Sequence, residues 1–197
     1  MSSVNTTPAS EKTRFFISNL LKGLLWLIVL VTAYILAKKY LDFDLEQIMG
    51  PFYENSLVIF TIFLFSEVIF GIIPPEFFMF WALRHELLSL YIQNIAMLAL
   101  MSYAAGVLGY FIGKAFNGTV IYRFFRRHYL GKYEKMFNNF GGFLILVAAL
   151  TPLPFSGICM LVGAVRYPMR KFFWISLSRF IRFIVYAMII WEANILN

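Results

Sequence analysis

The chain has 197 residues, of which 61% are hydrophobic and only 14% charged, and its mean hydropathy is +0.76. That composition excludes an ordinary soluble domain and indicates a polytopic integral membrane protein. A net charge of +7 would suit nucleic acid in a soluble chain. In a membrane protein, basic residues gather in cytoplasmic loops instead, so nucleic acid is not an expected partner.

Residues 1–14 are polar and rich in Ser and Thr at their start, and are expected to form a disordered cytoplasmic N-terminus. A hydrophobic run over 15–37 is long enough to span and has no small-x-small cleavage site after it, so 15–55 reads as a retained signal-anchor helix and an outer connection. That connection carries Asp42, Asp44, Glu46 and Glu54. Residues 56–83 form an apolar segment broken by Pro74-Pro75-Glu76, with Glu67 inside it. A second full span is expected over 89–113, where Gly106, Gly109 and Gly113 let another helix pack closely.

Residues 114–140 are basic, with Arg123, Arg126, Arg127, Lys132 and Lys135 among aromatic residues, as in an amphipathic helix lying on an anionic leaflet. A second broken segment, 141–165, is centred on Thr151-Pro152-Leu153-Pro154, and a last span is expected over 172–191. Proline removes a backbone donor and prevents one straight helix. Arms of about ten residues are too short to cross, since a spanning helix needs about 20. Both broken segments therefore predict re-entrant hairpins with turns at Pro74, Pro75, Pro152 and Pro154, close in space and presenting unpaired carbonyls.

Counting charges sets the orientation. With the N-terminus inside and three spans, Lys12, Arg14, Lys22, Lys114, the basic connection, Arg166, Arg170 and Lys171 are inside. Only Lys38, Lys39 and Arg84 are outside, which satisfies the positive-inside rule. The first hairpin then enters from outside and the second from inside. The expected fold is an all-α integral membrane protein of three transmembrane helices plus two oppositely oriented re-entrant hairpins, an inverted repeat.

Four charges fall within or beside apolar segments: Glu67, Glu76, Arg179 and Arg182. Each would cost roughly 2.5–3.5 kcal/mol at a helix centre, so such groups pair with one another or line water. Arg179 and Arg182 are three residues apart and share one helix face. They could brace the hairpins in an assembly salt bridge. Alternatively they grip an anionic lipid headgroup or lipid phosphate by bidentate hydrogen bonds, with Glu67 and Glu76 as the proton sites of the pathway. No GxSxG, HExxH, P-loop or CxxC spacing occurs, so no catalytic residue, metal site or cofactor is expected and the chain does not read as an enzyme. His85 and His128 read as interfacial, and the lone Cys159 as a packing residue that can form no intramolecular disulfide.

The order of these pieces resembles the DedA/VTT family, also called the SNARE-associated Golgi protein domain, and most of all its short bacterial branch. The resemblance rests on Glu67, Pro74-Pro75-Glu76, the Gly106 to Lys114 run ending in a GYxxGK pattern, Thr151-Pro-Leu-Pro-Phe155, Gly163-Ala164 and Arg179-Phe-Ile-Arg182. It implies two oppositely oriented re-entrant hairpins and movement of phospholipid or polyprenyl-phosphate lipids between leaflets, as a flippase or scramblase, proton-coupled in some members. By position it makes Glu67 and Glu76 the acidic motif and Arg179 and Arg182 the arginine pair. It also implies a bacterial cytoplasmic (inner) membrane. The chain departs from the family pattern where Ala149 and Phe155 replace two arginines and Ser156 stands where lysine is common. The grip on a headgroup then falls to Arg179 and Arg182. Membrane lipids are the expected partners, and a homo-oligomer is compatible with the sequence. A non-transporting assembly scaffold and a small-ion transporter are the competing readings.

Overall fold

The computed structural model describes residues 8–40, 50, 53–85, 87–116 and 134–195. Regular structure among them is helical throughout: α1 (Pro8–Tyr40), α2 (Ser56–Val68), α3 (Pro75–Ala82), a 3-10 turn (Leu83–His85), α4 (Leu88–Phe116), α5 (Glu134–Leu150), α6 (Phe155–Ala164), α7 (Met169–Ser176) and α8 (Ser178–Ile195). Three stretches, Ile17–Leu36, Leu88–Phe116 and Met169–Ile195, are long and apolar enough to cross a membrane. Their outward side chains are large and apolar, including Leu25, Leu100 and Met188, which suits contact with lipid. The acidic group Asp42, Asp44 and Glu46, and the basic group Arg123, Arg126, Arg127, His128 and Lys132, lie outside the described residues.

Three sequence expectations need correction. Residues 8–14, expected to be disordered, begin α1. Proline is well placed at a first helical position. The arm of the second unit before its prolines is not about ten residues but the 17 of Glu134–Leu150. No glycine or proline interrupts it before Gly141, and the tandem glycines there do not end the helix. The last span is not one uninterrupted helix: Leu177 separates α7 from α8. The Ser176 hydroxyl donates to the Phe173 carbonyl (3.0 Å) and the Ser178 hydroxyl to the Ile175 carbonyl (2.7 Å). Such bonds three residues back compete with the helical ladder.

Both proline clusters end helices, as expected. α2 stops before a tight turn in which Phe70 (φ 64) and Gly71 (φ 67) are both left-handed. The Gly71 N–H donates to Ser66 O (2.7 Å), and the Ser66 hydroxyl accepts from Ile73 N–H (2.8 Å). Glycine adopts that conformation freely, whereas a bulky residue such as Phe70 is strained there. The Phe70 ring lies against Gly157 of α6, where an added Cβ would come within 2.7 Å of it. That contact joins the first broken segment to the second and offsets the strain.

The tightest packing runs between α4 and α6. A Cβ on Gly113 would lie 1.9 Å from Met160 O, one on Gly109 2.7 Å from Ser156 O, and one on Gly163 2.1 Å from Tyr110 O. The small-residue face read from the sequence is therefore a backbone-on-backbone contact, which only glycine permits. α4 buries Tyr91, Ile95, Leu98, Ser102, Ala105, Gly109 and Gly113, a stripe at three- and four-residue spacing. Around it, one apolar cluster joins α1, α2, α3, α4 and α8, and a second joins α4 to α5, α6 and α7.

Candidate functional site

The ends of α2 and α5, and the beginnings of α3 and α6, converge on one face of α8. A cavity of about 380 Å³ opens between them, lined by Glu67, Glu76, Arg179 and Arg182, by Pro74, Pro75, Pro152 and Pro154, and by Trp26 from α1. All four charges and all four prolines singled out in the sequence thus meet at one place. Its volume falls within the usual 300–1,000 Å³ of a ligand site.

Arg179 is 2% exposed and Glu67 2%. Arg179 Nη2 donates to Glu67 Oε1 (3.2 Å) and Oε2 (3.3 Å), and its Nε donates to Ser102 Oγ (2.9 Å). Ser102 in turn donates to Glu67 Oε2 at 2.7 Å. The carboxylate, guanidinium and hydroxyl form a closed triangle linking α2, α4 and α8. Phe155 supports it from below: the Arg179 guanidinium carbon is 4.9 Å from that ring centre. Gly106 makes room for the ring, since a Cβ there would sit 2.3 Å from Phe155 Cε1. The Ser156 hydroxyl donates to the Glu67 carbonyl (2.5 Å), tying α6 to the end of α2.

The second pair is simpler. Arg182 Nη2 donates to Glu76 Oε1 at 2.7 Å, and Nη1 donates to the Thr151 carbonyl at 2.8 Å. Glu76 occupies the first turn of α3 behind Pro75, where a negative charge complements the helix dipole. Arg182 sits at the opposite kind of terminus. The last carbonyls of a helix have no intrahelical donor, and Pro152 and Pro154 bring no N–H to the turn that follows α5. Arg182 supplies the missing donor to Thr151, and Arg179 Nη1 reaches the Ala148 carbonyl at 3.5 Å. Two guanidiniums therefore cap one helix C-terminus while neutralising two carboxylates.

The expectation of unpaired proline carbonyls is corrected at two positions. Pro74 O accepts from Phe77 N–H (3.2 Å) and Pro154 O from Ile158 N–H (3.0 Å). Each proline is the N-cap of the next helix, and an N-cap carbonyl accepts the first helical bond.

Ser102 and Tyr186 pack in this cluster although the sequence does not single them out, and Thr151 and Ser156, noted above as turn and family positions, contribute the contacts just described. Ser102 lies four residues before Gly106 on the small-residue stripe, and Tyr186 lies four after Arg182, so helical spacing from the charged and glycine positions points to both. Among the described residues, no group of three or more His, Cys, Asp or Glu could hold a metal ion.

The sequence profile of the VTT domain matches residues 56–192, more than half of the chain. The chain belongs to the VTT domain (DedA) family. With its three span-capable helices, this VTT protein is an integral membrane protein. It is also similar to an uncharacterised protein of Methanocaldococcus jannaschii, 28% identical over 127 residues, which is 62% of this chain and 78% of the archaeal protein. No solved structure gives a significant match. The matched region contains every charged and proline residue of the cavity, while α1, with Trp26, lies before it.

Proposed function

We propose that this VTT protein moves phospholipid or polyprenyl-phosphate lipids between leaflets, with the headgroup passing through the cavity between the two proline turns. One observation carries the reading: two carboxylates and two guanidiniums, each at most 5% exposed, line one cavity amid apolar helices. Buried charges in a membrane protein mark substrate or ion pathways. The cluster is formally neutral, so an entering phosphate leaves it one charge negative. Neutrality returns if a proton enters with it, and an arginine that parts from its carboxylate can then fork onto phosphate oxygens.

In this reading the α2–α3 and α5–α6 units are re-entrant hairpins of opposite orientation, and the protein resides in a bacterial inner membrane with its N-terminus inside. The two units are each followed by a span-capable segment, α4 or α7–α8, which supports an inverted repeat. Cysteine labelling tests this arrangement. In a Cys159→Ser background, Asn117→Cys should react with a membrane-impermeant reagent only when the cytoplasmic face is accessible. Reaction from the outer face contradicts the topology.

The closed Glu67–Arg179–Ser102 triangle favours a second role for that pair, as an assembly brace. Vesicles holding purified protein and fluorescently labelled lipid separate the readings. Protein-dependent lipid movement is expected. Ion flux without lipid movement matches the small-ion transporter, and neither activity matches the scaffold.

A further inference from the structure

Two buried side-chain oxygens among the described residues have no hydrogen-bond partner: Glu76 Oε2 and Tyr186 Oη. Both belong to the Arg182 side of the cluster. Glu76 holds Arg182 through its other oxygen, and the Arg182 guanidinium carbon is 5.0 Å from the Tyr186 ring centre. The Arg179 side is different, because both Glu67 oxygens accept and Ser102 both accepts and donates. Leaving a buried acceptor or hydroxyl unpaired is costly, so such an atom calls for an explanation.

Glu76 lines the cavity directly. The Tyr186 hydroxyl stands behind the Pro152 wall: a Cβ added to Gly23 of α1 would fall 3.2 Å from that hydroxyl and 2.8 Å from Pro152 Cδ. Arg182, between the two atoms, spends one nitrogen on Glu76 and another on the Thr151 carbonyl.

We infer that Glu76 Oε2 and Arg182, which line the cavity, form a headgroup-reading subsite selecting lipids whose phosphoryl headgroup carries its own N–H or O–H donor, while Glu67, Arg179 and Ser102 are a fixed brace. The inference rests on the lipid-transport reading. An ionised carboxylate oxygen can only accept, so the ligand must bring the donor. Arg182 donates in return to the anionic phosphoryl oxygens. A choline headgroup has no N–H and leaves Glu76 Oε2 unpaired, and a site built around a hydrogen bond discriminates strongly against a ligand lacking it. The donor can sit on the headgroup alcohol, as in ethanolamine or glycerol, or on a phosphate monoester.

The test uses the full-length protein in vesicles carrying one of four lipids with the same acyl label: phosphatidylethanolamine, phosphatidylglycerol, phosphatidic acid or phosphatidylcholine. At least one of the first three should move about tenfold faster than the choline lipid, the scale of one hydrogen bond to a charged group. Preference for phosphatidic acid alone assigns the donor to the monoester; preference for the other two assigns it to the alcohol. Glu76→Gln replaces the accepting carboxylate with an amide, so its preference over choline should fall about threefold or more in protein that purifies folded. Ser102→Ala should lower the melting temperature and leave that ratio unchanged. Equal rates for all four lipids, or an unchanged ratio in folded Glu76→Gln, overturn the subsite while lipid transport stands. Movement of none of the four overturns the transport reading and the subsite with it.

Discussion

Replacing Arg179 with glutamine is expected to destabilise the protein by about 3–5 kcal/mol, the usual cost of removing one partner from a buried ion pair. Glu67 would remain buried with no cation on it, and Ser102 would lose the donor that fixes its hydroxyl. Part of the loss also falls on the end of α5, whose Ala148 carbonyl receives Arg179 Nη1. Thermal unfolding in detergent measures the effect. A double variant, Glu67→Gln with Arg179→Gln, should recover much of it, because neither charge is then left alone and two amides can still hydrogen-bond. A single variant as stable as the wild type would show that the pair is not a brace.

Gly113→Ala should be comparably damaging, for a different reason. On helix propensity alone this change stabilises by about 1 kcal/mol. Here the new Cβ would sit 1.9 Å from the Met160 carbonyl oxygen, which is backbone within α6 and has no rotamer to change. Relief requires α4 and α6 to separate. The α4–α6 contact also holds Phe155 beneath Arg179 and Ser156 on the Glu67 carbonyl, so separation disturbs the charged cluster as well. Overpacking a tight contact costs about 1–3 kcal/mol, occasionally more, and a backbone-to-backbone clash belongs at the upper end, well above the propensity gain. Detergent melting curves check the sign. A rise in melting temperature would mean that the helices are not in contact at Gly113.

The readable part of the sequence was the part where chemistry conflicts with apolar surroundings. Glu67, Glu76, Arg179 and Arg182 stand out because a charge in a membrane helix needs a reason, and all four line one cavity. The prolines stand out because they lack a donor, and α5 ends and α3 and α6 begin beside them. Ser102 and Tyr186 were hidden because a serine or tyrosine in a membrane helix is ordinary and signals nothing by itself. Only their helical spacing from glycines and arginines gives them away. The break at Leu177 was hidden too, since Ser176 and Ser178 act through hydrogen bonds to their own backbone and leave the hydropathy of the segment unchanged. The length of α5 is not legible in the sequence, because its first turns mix charged and amide residues with aromatic ones and hydropathy rises only near Gly141.

The most direct test of the transport account is the rate of labelled-lipid movement in vesicles containing Arg182→Gln, compared with wild type at equal protein content. Arg182 faces the cavity and holds Glu76, but it is not part of the Glu67–Arg179–Ser102 triangle. Its replacement leaves Glu76 buried without a cation and the Thr151 carbonyl without its donor, so rates are compared only in protein that purifies folded. The account predicts that the rate falls to the protein-free background, with only partial recovery in Arg182→Lys, because an ammonium cannot reproduce the planar fork. Wild-type rates in folded Arg182→Gln would contradict it and leave the cluster as an assembly device.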